Sequence, residues 1–219
     1  MATAAPSKQD HRRMCAEHLA DFRGYLADLP QEAWDEPSLC AGWKVRDVVG
    51  HLTVGRLLSL PAVAKLAAKG GFRIDAVVDR ASREYAAAHT PEEILAAFSE
   101  ETSRPKERGL AGIQPPHGKL ADNLTHLLDI SVPLGRDAGI PAERLEAVLH
   151  ALPRLGFWKT KQRTAGLRLV AEDVDWEHGA GVEVRGPAHA LILALGGRGQ
   201  VLDRLSGPGV ELLRPRVAA

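Results

Sequence analysis

The chain has 219 residues, which is enough for one large domain or two small ones with a sizeable buried core. Lysine plus arginine (28) balances aspartate plus glutamate (28), so no net field attracts the protein to nucleic acid or to an anionic membrane. The 45% of hydrophobic and 26% of charged residues are ordinary for a soluble globular protein, and no apolar run approaches the roughly 18 residues of a membrane span.

The two cysteines, Cys15 and Cys40, are too few for a disulfide framework and show no C-x-x-C spacing, which favours a reducing cytoplasm. The first ten residues lack the apolar core of a signal peptide, and we expect residues 1–7 to be a frayed tail. We therefore predict a cytoplasmic protein with no nucleic-acid or membrane partner. Its oligomeric state, monomer or homodimer, stays open.

The first half of the chain shows helical periodicity. Residues 8–29 predict a first helix that Pro30 ends, followed by a polar connection over residues 31–41. A second helix is predicted from Trp43 to about residue 69, with Pro61 marking a kink or break and two glycines closing it. Its apolar stripe consists of residues at the i, i+3, i+4 and i+7 positions of one face, namely Val45, Val48, Val49 and Leu52.

The helical pattern continues to Pro153. Residues 75–88 predict a short helix, and Thr90 with Glu93 predicts a capping box that opens the next one. We expect a loop over residues 109–118, a helix ending at Pro133, and another that Pro141 opens. Since no credible strand interrupts this pattern, four or five helices in a bundle are the economical architecture.

The periodicity changes after Gly166. Residues 167–172, 174–176 and 182–184 alternate between apolar and polar types and predict short strands, whereas residues 187–195 predict a helix and residues 210–213 a terminal turn or helix. The predicted fold class is therefore mainly α. We divide the chain into a helical bundle over residues 1–159 and a small α/β C-terminal domain over residues 160–219.

Three side chains have the spacing of a metal site. Asp122 and His126 lie four residues apart and therefore share one helix face, and His51 lies on the flank of the second helix's apolar stripe. An acid-x3-His pair with a further histidine is typical of a catalytic Zn²⁺ site that keeps one position open. The alternatives are a structural histidine at a helix boundary and a solvated Asp-x3-His pair.

Several segments carry a family resemblance. They are residues 37–52, with the motif Cys-x-Gly-Trp-x-Val-Arg-Asp-Val-Val-x-His-Leu, and residues 122–135, 166–176, 184–187 and 205–210. Together they resemble the actinobacterial maleylpyruvate isomerase family of mycothiol-dependent enzymes, whose N-terminal part is similar to the DinB-like metal-binding bundles. The resemblance covers nearly the whole chain, and the first segment is its most specific part.

The resemblance implies a DinB-like four-helix bundle followed by a small α/β domain, with a divalent metal, most often zinc, in the bundle. It implies that His51, Asp122 and His126 are the metal ligands, and that mycothiol is the low-molecular-weight thiol cosubstrate. Where some members of the family carry glutamate or histidine, this chain has Asp122, whose side chain is shorter than that of glutamate.

A metal in such a site lowers the pKa of a bound thiol, and the thiolate is the nucleophile. The thiol adds to a conjugated double bond of an electrophilic small molecule and leaves after rotation, which is isomerisation, or it stays attached, which is S-transfer. The predicted function is therefore a metal- and thiol-dependent isomerase or S-transferase. The alternatives are a non-catalytic metal- or ligand-binding or regulatory protein, and a metal-dependent hydrolase with Asp129 as its base.

Other candidate site residues lie outside the ligand set. Asp129 is predicted to be catalytic or to orient a histidine ligand, with a surface ion pair as the alternative. Arg185 is predicted to reach an anionic substrate, and Arg198 and Trp43 to bind the thiol cofactor; a solvated arginine and a core tryptophan are the alternatives. Cys40 is a nucleophile by one interpretation and a small buried residue at the helix entrance by the other.

Overall fold

The computed structural model describes residues 6–59, 61, 62, 65, 74–155 and 159–217. The fold is mainly α with one small sheet, and it confirms the predicted class. The described helices are α1 (Lys8–Ala27), α2 (Val45–Leu57), α3 (Ile74–Ala88), α4 (Pro91–Thr102), α5 (Gly109–Ile113), α6 (Pro116–Ser131), α7 (Ala142–Ala151), α8 (Thr160–Thr164), α9 (Ala188–Leu195) and α10 (Val210–Val217). Short 3-10 helices cover Gln31–Asp35, Leu152–Arg154 and Gly199–Arg204.

The chain forms two compact units. One comprises Met1–His18, Pro116–Leu128 and Ala138–Ala219, and the other comprises Leu19–Pro115 and Asp129–Asp137. Helices α1 and α6 each contribute residues to both units. The division at residue 160 that the sequence predicts stays a prediction.

In the unit that contains α2, the predicted apolar stripe forms the core. Val45, Val48 and Val49 are fully buried, and α2 packs against α3, α4 and α5. Burying such side chains contributes about 1.5–3 kcal/mol each. The approach to α3 is close at Gly50, where an added Cβ would lie 3.1 Å from the backbone oxygen of Ser82. This close approach fixes the distance between α2 and α3 at Gly50.

The helix termini in this unit follow the capping rules. The Thr90 hydroxyl accepts from the Glu93 main chain and the Glu93 carboxylate accepts from the Thr90 main chain, at 3.3 and 2.8 Å, so the predicted capping box is confirmed. At the start of α2, the Asp47 carboxylate accepts from the Lys44 main chain at 2.9 Å. At its end, the buried Arg56 guanidinium donates to the Leu52 carbonyl at 2.8 Å.

In the other unit, three strands form a sheet of order β2-β1-β3, with β1 at Leu167–Ala171, β2 at Glu177–Gly179 and β3 at Val182–Gly186. Strand β1 pairs antiparallel with β2 and parallel with β3. Helix α9, predicted from its apolar run, is nearly fully buried, and Asp173 caps its start by accepting from the Ala188 main chain at 2.7 Å.

Several predicted boundaries are wrong. The loop predicted over residues 109–118 instead contains α5 and the start of α6, where Pro116 suits a first helical turn because it needs no amide donor there. Helix α2 starts at Val45 rather than Trp43, because the Pro37–Lys44 bridge keeps that segment extended.

The strand predicted at residues 174–176 lies at Glu177–Gly179, because residues 172–175 form bends around the Asp173 cap. Helix α10 continues to Val217, past the end predicted at residue 213. Helix α2 ends at Leu57, and the predicted closure of this segment at residues 70 and 71 lies outside the described residues. The frayed tail lies mostly outside them too.

Candidate metal centre

Helix α2 presents His51 beside two neighbours from the same unit. The ring of Trp43, two residues before the start of α2, lies 5.2 Å from the His51 ring between centroids. The Ser82 hydroxyl of α3 lies 3.5 Å from His51 Nδ1. His51 is intermediate in burial. The predicted ligand role of His51 stays a prediction.

The Ser82 hydroxyl is compatible with one tautomer of the neutral His51 ring. It donates its single proton to the Val78 carbonyl at 2.7 Å, so it can only accept from His51. The neutral ring that makes this contact therefore carries its proton on Nδ1 and keeps a lone pair on Nε2. At 3.5 Å the contact is long, and its orienting effect is correspondingly weak.

Helix α6 presents Asp122 and His126 on one face, as their spacing predicts. His126 Nε2 lies 3.7 Å from Asp122 Oδ1, and their side chains are 11% and 22% exposed. Carboxylate and imidazole groups are both zinc ligands. Helix α6 therefore places two such ligands close together in a mostly buried position.

His51, Asp122 and His126 each offer one ligand atom, and these atoms all lie within 4.8 Å of one another. Two imidazoles and one carboxylate are a common protein ligand set for zinc that keeps a position open for a further ligand. The donor chemistry and the spacing therefore fit a divalent ion.

Asp129 is the most deeply buried acid of this region. It is fully buried, and the Cys40 thiol donates to its Oδ2 at 3.1 Å. The Leu39 main chain also donates to the Asp129 carbonyl, at 3.0 Å. This burial is incompatible with an exposed position on the helix surface, which its alternative as a surface ion pair requires. Cys40 is partly buried and free of any disulfide.

Trp43 is held in place by α3. Its indole N–H donates to Asp79 Oδ1 at 2.6 Å, and Arg83 donates to the same carboxylate oxygen at 3.1 Å and to the Gly42 carbonyl at 2.8 Å. The hydrogen bond from Trp43, with that from Arg83, holds the pKa of Asp79 below its usual value despite partial burial. This network anchors the ring that packs against His51. The predicted role of Trp43 in binding a cofactor stays a prediction.

The two predicted arginines lie in the unit that contains the sheet. Arg185, on β3, donates to Glu183 at 3.1 Å, and its main chain pairs with Ser206. Arg198 follows α9 and donates to the Gly196 carbonyl at 2.6 Å. The predicted substrate- and cofactor-binding roles of both arginines stay predictions.

Sequence reasoning missed Ser82 and Asp79. They lie three residues apart and so share one face of α3, but neither belongs to a recognisable motif. Only the packing of α2 against α3 brings them beside His51 and Trp43.

The described helices, the small sheet and the candidate ligand set define the class of protein, a mainly α fold that brings two histidines and a carboxylate together. Residues 15–111, which include Cys40, Trp43 and His51, match the family model described as the mycothiol maleylpyruvate isomerase N-terminal domain. The family resemblance seen in the sequence is thereby confirmed for this part of the chain. Asp122, His126 and Asp129 lie outside it.

Two solved structures share the fold over most of the chain. They are described as crystal structures of the mycothiol-dependent maleylpyruvate isomerase, one of them a histidine-to-alanine mutant. In each case the TM-score is 0.59 and the identity 15%, with 94% of this chain and 96% of the other covered. No curated protein matches. Within the described residues, no helix combines the length and apolarity that crossing a membrane requires.

Proposed function

We propose that this protein is a metal- and thiol-dependent isomerase or S-transferase that acts on an electrophilic small molecule, with mycothiol as the thiol cosubstrate. The observation that carries the proposal is the convergence of ligand atoms from His51, Asp122 and His126 within 4.8 Å. The family match over residues 15–111 supports the choice of thiol.

In this proposal His51, Asp122 and His126 hold a divalent ion, with zinc the first choice because it takes imidazole and carboxylate ligands in sites that keep one position open. Bound there, the ion supplies Lewis acidity that lowers the pKa of a coordinated thiol, so that thiolate is available at neutral pH. Two neutral imidazoles and one carboxylate leave a net charge of about +1 on a divalent centre, which favours an anionic sulfur.

The remaining residues orient this set. Ser82 accepts from His51 Nδ1 and so directs the Nε2 lone pair toward a ligand position. Trp43, fixed by Asp79, packs against the same ring and limits its rotation. Buried Asp129, one turn after His126 on α6, is proposed to orient the second imidazole. Preorganised ligands lose little side-chain entropy on binding, which favours affinity.

The reaction class follows from the nucleophile. A thiolate adds to the β carbon of a conjugated double bond, whose electrons move onto the conjugated acceptor, and the former double bond becomes free to rotate. Expulsion of the thiolate restores the double bond in the other geometry, which is isomerisation. Protonation of the adduct at the α carbon instead leaves the thiol attached, which is S-transfer.

Metal content tests the ligand assignment. We expect purified protein to carry zinc by elemental analysis, and His126→Ala to lose most of it. His89→Ala is the matched control, because His89 lies after α3 with its Nδ1 bound to the Tyr85 carbonyl, and it should keep the wild-type content. Equal metal content in wild type and His126→Ala would overturn the assignment.

Thiol consumption tests the activity. With mycothiol and a maleyl-type electrophile, wild type should give either the isomerised product with thiol recovered or the S-conjugate with thiol consumed. His51→Ala should do neither. A protein that binds metal and thiol but changes neither reactant would be a binding protein, and hydrolysis without thiol would indicate the hydrolase; either result refutes the proposed activity.

A further inference from the structure

A second group of ligand-type side chains overlaps the first. Cys40 Sγ, an atom of His126 and an atom of Asp129 all lie within 4.8 Å of one another. Asp129 is fully buried and His126 is 8% exposed. This group combines sulfur, nitrogen and oxygen donors, whereas the set with His51 and Asp122 offers only nitrogen and oxygen.

The backbone fixes this group tightly. His126 and Asp129 are separated by three residues on α6 and so lie on one helix face. Residues 39 and 40 are tied to the end of the same helix, by the Leu39 main chain donating to the Asp129 carbonyl at 3.0 Å and by the thiol contact of 3.1 Å. These two contacts hold Cys40 beside Asp129, and the helix holds His126 on the same face.

We propose that Cys40, His126 and Asp129 form a second metal-binding set that takes a thiophilic divalent ion such as Zn²⁺ or Cd²⁺. Thiolate, imidazole and carboxylate are all zinc ligands, and a thiolate shifts preference toward softer ions. On binding, the ion replaces the proton that Cys40 shares with Asp129, and that proton passes to solvent. The sulfur and one Asp129 oxygen then become ligands in place of the hydrogen bond.

The two sets are alternatives for one ion, because both require His126. This inference goes beyond the proposed function and does not depend on thiol turnover. The ion then has a second possible position, also at His126, and Cys40 has a metal-binding role.

Cobalt spectroscopy distinguishes the two sets. Co²⁺ bound by a thiolate gives an intense charge-transfer band in the near ultraviolet, which Co²⁺ bound only by nitrogen and oxygen lacks. In His51→Ala, and independently in Asp122→Asn, we expect about one Co²⁺ per chain with this band, because His126 remains available to the second set. Because the two substitutions lie on different helices, a folding defect in one leaves the other to decide.

Replacing Cys40 by serine in either background should abolish the band, whereas replacing Cys15, a buried cysteine of α1, should leave it unchanged. Circular dichroism confirms folding in each case. Loss of Co²⁺ binding in both His51→Ala and Asp122→Asn, or binding without the band, would overturn the second set while leaving the proposed function intact. Wild-type protein that shows the thiolate band at the full intensity seen in both variants would instead refute the first set, because its ion would then lie in the second.

Discussion

Replacing Gly50 by alanine tests the close contact on which the position of His51 depends. The new methyl group would lie 3.1 Å from the Ser82 carbonyl oxygen and 3.4 Å from the Ala86 Cβ. The oxygen belongs to the backbone of a helix and cannot rotate away, so α3 must shift by a few tenths of an ångström. That shift carries the Ser82 hydroxyl away from the His51 ring.

The magnitude follows from two opposing effects. Alanine in a helix interior is about 1 kcal/mol more favourable than glycine. Overpacking a tight contact costs about 1–3 kcal/mol. Gly50→Ala should therefore lower the free energy of unfolding by up to about 2 kcal/mol. Gly55 lies on the same helix with no atom within 4 Å of its added Cβ, so Gly55→Ala should gain up to about 1 kcal/mol.

Urea unfolding monitored by circular dichroism measures both variants, and zinc affinity is titrated in parallel. We expect the two free energies of unfolding to differ by about 1–3 kcal/mol, the cost of the contact alone. Zinc affinity should fall in Gly50→Ala and stay unchanged in Gly55→Ala. Equal stabilities, or a stabilised Gly50→Ala, would refute the claim that α2 and α3 are in tight contact here.

Three further predictions concern stability. Thr90→Ala removes one half of the capping box and should cost about 1 kcal/mol in urea unfolding, with no change in metal content. Burial, and to a smaller extent neighbouring positive charges, lowers the pKa of His117 below its usual value of 6.5. The unfolded chain therefore binds a proton at His117 more readily than the folded chain does. The free energy of unfolding should fall as the pH drops below about 6.5. His117→Gln should flatten that part of the curve of Tm against pH, and an unchanged curve would contradict it. Arg56→Met removes a donor to Leu52 and one partner of a buried ion pair with Glu107, and should cost about 3 kcal/mol by the same unfolding assay.

Much of the fold was predictable because local patterns and tertiary packing agree. The apolar residues predicted to face the core in α2 and α9 are buried in the structure. The capping box predicted at Thr90 is also present. Predictions were wrong where a contact distant in sequence decides the local conformation. The strand predicted at residues 174–176 begins only at Glu177, because residues 172–175 form bends around Asp173, which caps a helix that starts fifteen residues later.

The sequence by itself determined the helical class, the sharing of one face by Asp122 and His126, and the place of His51 on α2, because helical periodicity and i, i+4 spacing are local properties. Only the tertiary structure decided that Ser82 and Asp79 lie beside His51 and Trp43, and that Cys40 meets Asp129 across 89 positions of chain. Contacts of this kind depend on how helices pack against one another, and packing depends on shape complementarity over a whole face.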